Sequence, residues 1–303
     1  MVRQIPHRKG VQRMHQKVQK IYNRLDADIT CEHKITTSEN HGVSNSSTVL
    51  HNHDGFEIML FLNGSANYYV ESEGKKLERG DVICISPYAF HCVELLTPDC
   101  YDRIVINIKE PVLKSLSSDK TDLTSCFYHF DNKLNIIHLT EAEIQQLMEY
   151  ITNLEKNLLY HHFGDDTLAN ANLIQILVMI HRHTKINNTP KYTSVMPSLV
   201  AETFSYIEHH ITEDITLQEL SRHIHHNADY ISRCFKNVTG TSLQQFILAK
   251  KVTLAQKYLK EGHSPSDVCY MTGFHNYSNF SRTFTKQIGT SPKKYQLAQK
   301  KRV

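Results

Sequence analysis

Residues 227–246, NADYISRCFKNVTGTSLQQF, are echoed 49 residues later by residues 276–295, NYSNFSRTFTKQIGTSPKKY. Asn227, Ser232, Arg233, Phe235, Gly240, Thr241, Ser242 and Phe246 recur as Asn276, Ser281, Arg282, Phe284, Gly289, Thr290, Ser291 and Tyr295, all at one offset. The pattern reads as a single physical unit. An asparagine at its head caps a helix, because the side-chain oxygen accepts from a free N–H of the first turn. Ser-Arg then falls on the exposed face, and the aromatic two places after the arginine turns inward. Glycine ends the helix in the left-handed conformation that a Cβ disfavours, and Thr-Ser caps the next helix. Two copies of a short helix displaying Ser-Arg predict a DNA reader with two recognition helices on one chain.

The flanking residues complete each unit. Thr216 and Glu219 have capping-box spacing and open a short helix with Leu217, Leu220 and Ile224 as its apolar stripe. A turn separates it from the helix at Asn227, which is the helix-turn-helix arrangement whose second helix enters the major groove. In the second unit Ser264 caps, Pro265 takes the first helical position, Asp267 complements the helix dipole, and Val268 and Met271 face inward before Gly273 turns the chain. Residues 242–261 form one long helix between the units. At ~30 Å it spaces two readers about one DNA turn apart.

On these residues the stretch resembles the DNA-binding domain of AraC/XylS-type transcriptional regulators. The resemblance spans about 95 residues and is most specific in the closing run GFHNYSNFSRTFTKQIGTSPKKY. It departs from the family where Ser221 and Cys269 replace a usual alanine, where Lys251 replaces a common arginine, and at Gln296. Serine and cysteine are small enough to keep the helix contacts. The resemblance implies that Asp229, Ser232 and Arg233 of the first reader, and Tyr277, Ser278, Ser281 and Arg282 of the second, face base edges. The arginines are the strongest of these, since a guanidinium grips guanine O6 and N7 with two bonds. Lys236, Lys250, Lys286, Lys293 and Lys294, with the helix starts at Ser242 and Ser291, are phosphate contacts by the same reading.

Charge divides along the same line. Residues 191–303 carry 15 Lys and Arg against 8 Asp and Glu, whereas the whole chain is +3. The basic excess therefore lies on the half with the repeat, as phosphate binding requires. A length of 303 residues, 40% of them apolar, predicts two domains with real cores. No apolar run reaches a membrane span and no signal-peptide core opens the chain, so a cytoplasmic protein without a membrane partner is expected. Seven cysteines without a C-x-x-C read as reduced thiols.

The N-terminal half reads as strands: 56–62, 66–71, 82–86, 91–96 and 103–108 are short, β-branched or aromatic, and separated by turn residues. Many short strands at this spacing predict a sandwich or barrel. His51-x-His53-x3-Glu57-x6-Gly64 resembles the first cupin motif, and Gly80-Asp81 with Pro87-x3-His91 resembles the second. The likeness is to the cupin-like sensor domain of AraC-type regulators, across roughly residues 45–110. In metal cupins His51, His53, Glu57 and His91 are the ligand set. The same groups can instead bind the hydroxyls of a sugar or a carboxylate without any metal, or serve packing alone.

Residues 141–160 place Ile144, Leu147, Ile151, Leu154 and Leu158 at 3-4 spacing, and residues 166–183 are more broadly apolar. The expectation is a helical pair that supports a homodimer. Residues 1–25 hold seven Lys and Arg and no acid; they read either as an arm over the pocket or DNA, or as a helix packed on the barrel.

The expected fold is thus two-domain, all-β plus all-α. A basic arm (1–34) precedes a cupin-like effector-sensing barrel (35–140), packing helices (141–183), a linker (184–197) and a double helix-turn-helix domain (198–303). The expected function is sequence-specific transcriptional regulation without enzymatic activity or cofactor. The partners are double-stranded DNA, a small effector with a sugar or polyol as first guess, a second copy of the chain, and RNA polymerase if the protein activates. The alternative is a metal-binding cupin enzyme or metal sensor fused to a DNA-binding domain.

Overall fold

The computed structural model describes residues 22–23, 25, 27–36, 49–97, 100–128, 134–160, 162–186 and 192–300. Most of the basic arm lies outside them. Its end does not: residues 29–34 belong to a barrel strand, β2 (Ile29–Thr36), which follows β1 (Tyr22–Asn23). The N-terminal half continues with β3 (Asn52–His53), β4 (Gly55–Gly64), β5 (Ala66–Val70), β6 (Glu73–Lys76), β7 (Asp81–Ile85), β8 (His91–Leu95), β9 (Tyr101–Lys109), α1 (Glu110–Leu116), β10 (Asn135–His138), α2 (Glu141–Leu159) and α3 (Asp165–Ile186). Five strands form a sheet in the order β10-β7-β4-β9-β2, and a second sheet runs β6-β5-β8.

The central strand β4 explains the layering. Its sequence FEIMLFL is apolar on both faces rather than alternating, as a strand covered on both sides must be. Met59 and Phe61 point into the barrel, where they meet Tyr68 and Val70 of β5 and Val93 of β8. Phe56, Ile58 and Leu60 point the other way, onto α2 and α3. Glu57 is the lone charged residue in this run, and its parity sends it inward.

The seam on α2 is consumed by this packing. Ile144, Leu147, Ile151 and Leu154 are buried against α3 and the large sheet, so the pattern that suggested a dimer is satisfied within one chain. A capping box at Thr140 and Glu143 opens the helix. The acid of the Gly80-Asp81 pair is structural. Asp81 is fully buried, accepts twice from Lys75 at 2.8 Å, and accepts from the N–H of Glu78 at 2.8 Å.

The C-terminal half is helical: α4 (Ser198–His209), α5 (Leu217–Ile224), α6 (Ala228–Thr239), α7 (Leu243–Lys260), α8 (Pro265–Met271), α9 (Tyr277–Ile288) and α10 (Pro292–Lys300). The segment expected as a linker, 184–197, is partly docked: α3 runs on to Ile186, the N–H of Val195 donates to the carbonyl of Gly74 at 2.9 Å, and Met196 is buried. The outer face of the small sheet is covered by the helical domain. Leu50, Tyr69, Phe90 and Cys92 share one apolar core with Val200, Phe204, Phe235 and Phe246. All seven cysteines are free thiols. Among the described residues no helix is long and apolar enough to cross a membrane.

Candidate functional site

Two sites emerge from the residues singled out by sequence: a pair of exposed reader helices and a buried histidine-carboxylate cluster.

Each reader is built by local capping. Thr216 and Glu219 exchange hydrogen bonds at the start of α5, and the helix ends at His225 with φ 58°. Leu220 and Ile224 are buried as expected, but Leu217 is 48% exposed; at the first helical position it lies beside the groove formed by Ser232, Arg233 and Lys236 rather than in the core. Asn227 caps α6 by accepting from the N–H of Asp229 at 2.8 Å. Asn276 caps α9 by accepting from Asn279 at 3.0 Å. Inward, α6 buries Ile231 and Phe235 while α9 buries Phe280 and Phe284. Gly240 at φ 68° and Gly289 at φ 83° close the two helices.

The residues expected to read DNA lie on the outward faces. Asp229, Arg233, Lys236, Tyr277, Ser278, Arg282 and Lys286 are exposed, and Ser232 and Ser281 are half-buried beside them. Lys293 and Lys294 are exposed at the start of α10. Lys250 is not available to phosphate. Its ammonium pairs with Glu71 of the barrel at 2.9 Å, and that carboxylate holds its pKa up against the effect of burial. Lys251 is structural as well, donating to the carbonyls of Glu213 and Gly273 at 2.9 Å each and so tying both helix-turn-helix units to α7. Gln296 fills the usual arginine position by donating to the carbonyls of Gly262 and His263.

The second site lies inside the barrel. His53 ends β3, Glu57 is in β4, and His91 begins β8. One ligand atom from each lies within 4.8 Å of the others. His51 stands outside this compact set with its ring centroid 4.3 Å from that of His91. Each ring is fixed by a backbone carbonyl on Nδ1: Val49 for His51 at 3.0 Å, Gly55 for His53 at 2.9 Å, and Ala89 for His91 at 3.0 Å. A carbonyl only accepts, so every Nδ1 carries a proton. In the neutral ring the lone pair is then on Nε2. His53 Nε2 lies 3.1 Å from Glu57 Oε2 and His91 Nε2 lies 3.9 Å from Oε1.

The electrostatics follow from this geometry. Burial alone would raise the Glu57 pKa, but the hydrogen bond from His53 and the surrounding imidazoles hold it at about 2. Burial and the neighbouring His51 push His91 down to about 3. Burial also opposes charging of His53, yet the bond to Glu57 outweighs it and raises that pKa. The result is a buried carboxylate, one imidazole bonded to it, and one neutral imidazole whose buried Nε2 has no hydrogen-bond partner among the described residues. Tyr68 closes the cluster, donating to Glu57 at 3.4 Å.

This arrangement fits a metal ion. Ligating histidines characteristically donate their other N–H to a carbonyl or carboxylate, which fixes the tautomer. Two or three imidazoles with one carboxylate suit Zn, Mn, Fe or Ni. His53, Glu57 and His91 would hold the ion, with His51 adjacent.

A family model described as an AraC-like ligand binding domain matches residues 37–177, and one described as a helix-turn-helix domain matches residues 220–298. Uncharacterised HTH-type transcriptional regulators of Staphylococcus aureus are 25% identical over 248 residues, covering 80% of this chain. The chain spans about a third of their length, 31%. The probable transcriptional regulator LumQ of Photobacterium leiognathi is 23% identical over 257 residues, 83% of this chain and 93% of LumQ. Among solved structures, ToxT of Vibrio cholerae is similar at 14% identity and a TM-score of 0.39, over 90% of this chain and 100% of that one. The chain thus carries an AraC-like ligand-binding domain followed by a helix-turn-helix domain, the two-part organisation of the AraC-type transcriptional regulators that it resembles.

Proposed function

We propose that the protein acts in the cytoplasm as a sequence-specific DNA-binding regulator whose barrel receives a chemical signal at His51, His53, Glu57 and His91. The observation that carries this reading is the twice-repeated presentation of Ser-Arg on an exposed helix face above a buried phenylalanine. It sits on the same chain as a buried, chemically specific cluster that the reader helices do not use. Asp229, Ser232, Arg233 and Lys236 form one reader, and Tyr277, Ser278, Ser281, Arg282 and Lys286 the other.

Imidazoles and one carboxylate also suit the hydroxyls of a sugar or polyol, the first expectation from sequence. The compactness of the cluster supports a divalent transition-metal ion better. Three donor atoms within 4.8 Å converge on a volume suited to one ion, and Tyr68 already closes the space beside Glu57. A bound ion would neutralise Glu57 and draw β3, β4 and β8 to fixed separations. Promoter DNA, and RNA polymerase where the protein activates, are the macromolecular partners of this reading. A homodimer through the N-terminal half also belongs to it. With the α2 seam buried, support for that interface comes from the exposed Leu159, Tyr160, Phe163 and Leu168 around the turn between α2 and α3.

The test is selection of DNA from a random pool by the full chain, followed by affinity measurements with Zn(II), Mn(II), Co(II) or a polyol panel. A consensus with two half-sites, with affinity that responds to a metal in wild type but not in Glu57→Ala, is expected. Absence of any consensus overturns the regulator reading. A response to a polyol and to no metal replaces the ion by the sugar class.

A further inference from the structure

The chain alternates between the two sites residue by residue. In residues 50–53, His51 and His53 belong to the cluster, while Leu50 and Asn52 face the helical domain. Leu50 is fully buried in the shared core, and its N–H donates to the carbonyl of Thr239 at 2.8 Å. Asn52 donates to Thr253 Oγ1 at 3.0 Å and to the carbonyl of Tyr88 at 3.1 Å. In residues 90–92 the middle residue, His91, belongs to the cluster. Phe90 packs edge-on against Phe246 with centroids 5.1 Å apart, and the Cys92 thiol lies 3.8 Å from the carbonyl of Val238. The two segments are joined at the site itself, where His51 and His91 exchange backbone hydrogen bonds of 3.0 and 2.9 Å.

This is the period-two geometry of a strand applied to two functions at once. The groups met on the outer face are specific: Val238, Thr239 and Gly240 end the first reader helix, and Phe246 and Thr253 belong to α7. Gly240 approaches so closely that an added Cβ would lie 3.3 Å from Val49 Cα. Tyr88 holds the 50–53 segment on its cluster side, through His53, and on its outer side, through Asn52. It holds φ 67°, a conformation that side-chain-bearing residues rarely adopt, while its N–H donates to the carbonyl of His53 at 2.8 Å. Lys260 lies 5.0 Å above its ring. Non-glycine residues held in this region are strained and concentrate at switches and sites.

We propose that the state of the barrel cluster is relayed within one chain to the first reader, through Leu50, Asn52, Phe90 and Cys92, by changing how firmly α6 and α7 dock on the barrel. The relay rests on the reading of the four-residue cluster as the effector site. It makes the first reader the regulated one, while α9, which packs on α7, α8 and α10, is coupled to the barrel less directly.

The test is hydrogen exchange on the full-length chain, comparing wild type, Glu57→Gln and Asn52→Leu, each with and without Co(II). Visible absorption of the cobalt reports separately whether the cluster has taken up the ion. Exchange in residues 238–254 is expected to change about tenfold, in Glu57→Gln or on cobalt binding, with residues 277–288 far less affected. Asn52→Leu is expected to keep the cobalt absorption and lose the response. Bound cobalt with changes confined to the barrel overturns the relay and leaves the site reading intact. No cobalt absorption, but altered exchange in residues 238–254 of Glu57→Gln, supports the relay and overturns the metal reading. Unchanged exchange there in every comparison overturns the relay. Should Glu57→Gln fail to fold, His51→Gln supplies the same comparison.

Discussion

Lys250 and Glu71 form a nearly buried ion pair across the two domains, Nζ to Oε2 2.9 Å, with side chains only 17% and 13% exposed. Its lysine comes from α7, between the two helix-turn-helix units, and its glutamate from the turn after β5, so it ties the helical domain to the barrel. Removing one member leaves a desolvated charge, which costs about 3–5 kcal/mol, whereas replacing both is far milder. Lys250→Met and Glu71→Gln are each expected to lower stability markedly in urea titration, and the double variant to lose less than the sum of the two. Strict additivity would show that the pair is not energetically coupled.

The exposed arginines carry a separate prediction. Arg233→Ala and Arg282→Ala should each cost ~1–3 kcal/mol at the selected DNA site and relax base preference in different half-sites. Lys236→Ala and Lys286→Ala should weaken binding evenly across sequences and flatten its salt dependence. Footprinting and affinity measurement on single-base variants of the site check both. Loss of preference at the same bases in both arginine variants would exclude two adjacent readers.

What sequence disclosed here and what it hid have different physical origins. Helices α6 and α9 were legible because caps are local: Asn227 and Asn276 each reach an N–H only two or three residues away. Strand β4 was legible because its apolar run is continuous. Strand β6, with the sequence EGKK, was not, since nothing in it favours a strand. Pairing with β5 and contacts from Ser194 and Val195 hold it in place. The edge strand β2 hid behind the charge of the preceding arm. For the cluster, His53, Glu57 and His91 were legible as a motif, but their approach to a common point depends on the pairing of residues 51 and 91. The partner of Lys250 lies 179 positions away at Glu71, and no local pattern marks so distant a contact.

Leu147 distinguishes a core residue from an interface residue. It is 1% exposed and packs between α2, α3 and the large sheet. Leu147→Ala should therefore cost about 2–5 kcal/mol of stability, the range for a cavity in a packed core. It should leave the oligomeric state unchanged. Urea denaturation and sedimentation of the same sample check the two halves of the statement together. A variant of unchanged stability that dissociates would return α2 to the dimer interface.

The buried cluster makes the metal-free chain acid-labile, and the sign follows group by group. His91 titrates at about 3 when folded, against its ordinary 6.5. Below pH 6.5 the unfolded chain takes up a proton that the folded chain refuses, so stability falls with pH across the window from 6.5 to 3. Glu57, at about 2 rather than 4.5, adds a second loss between pH 4.5 and 2. His53 opposes them: its raised pKa contributes stability below 6.5, lost as pH rises through the folded value. Each group can contribute a slope of up to about 1.4 kcal/mol per pH unit. Unfolding free energies in the presence of a chelator should therefore decline from pH 6.5 downward and steepen below 4.5. His91→Gln keeps a polar side chain at the position while removing the titration, and should flatten the upper part of that curve. An unchanged slope in His91→Gln between pH 6.5 and 4.5 would show that another group governs the acid response.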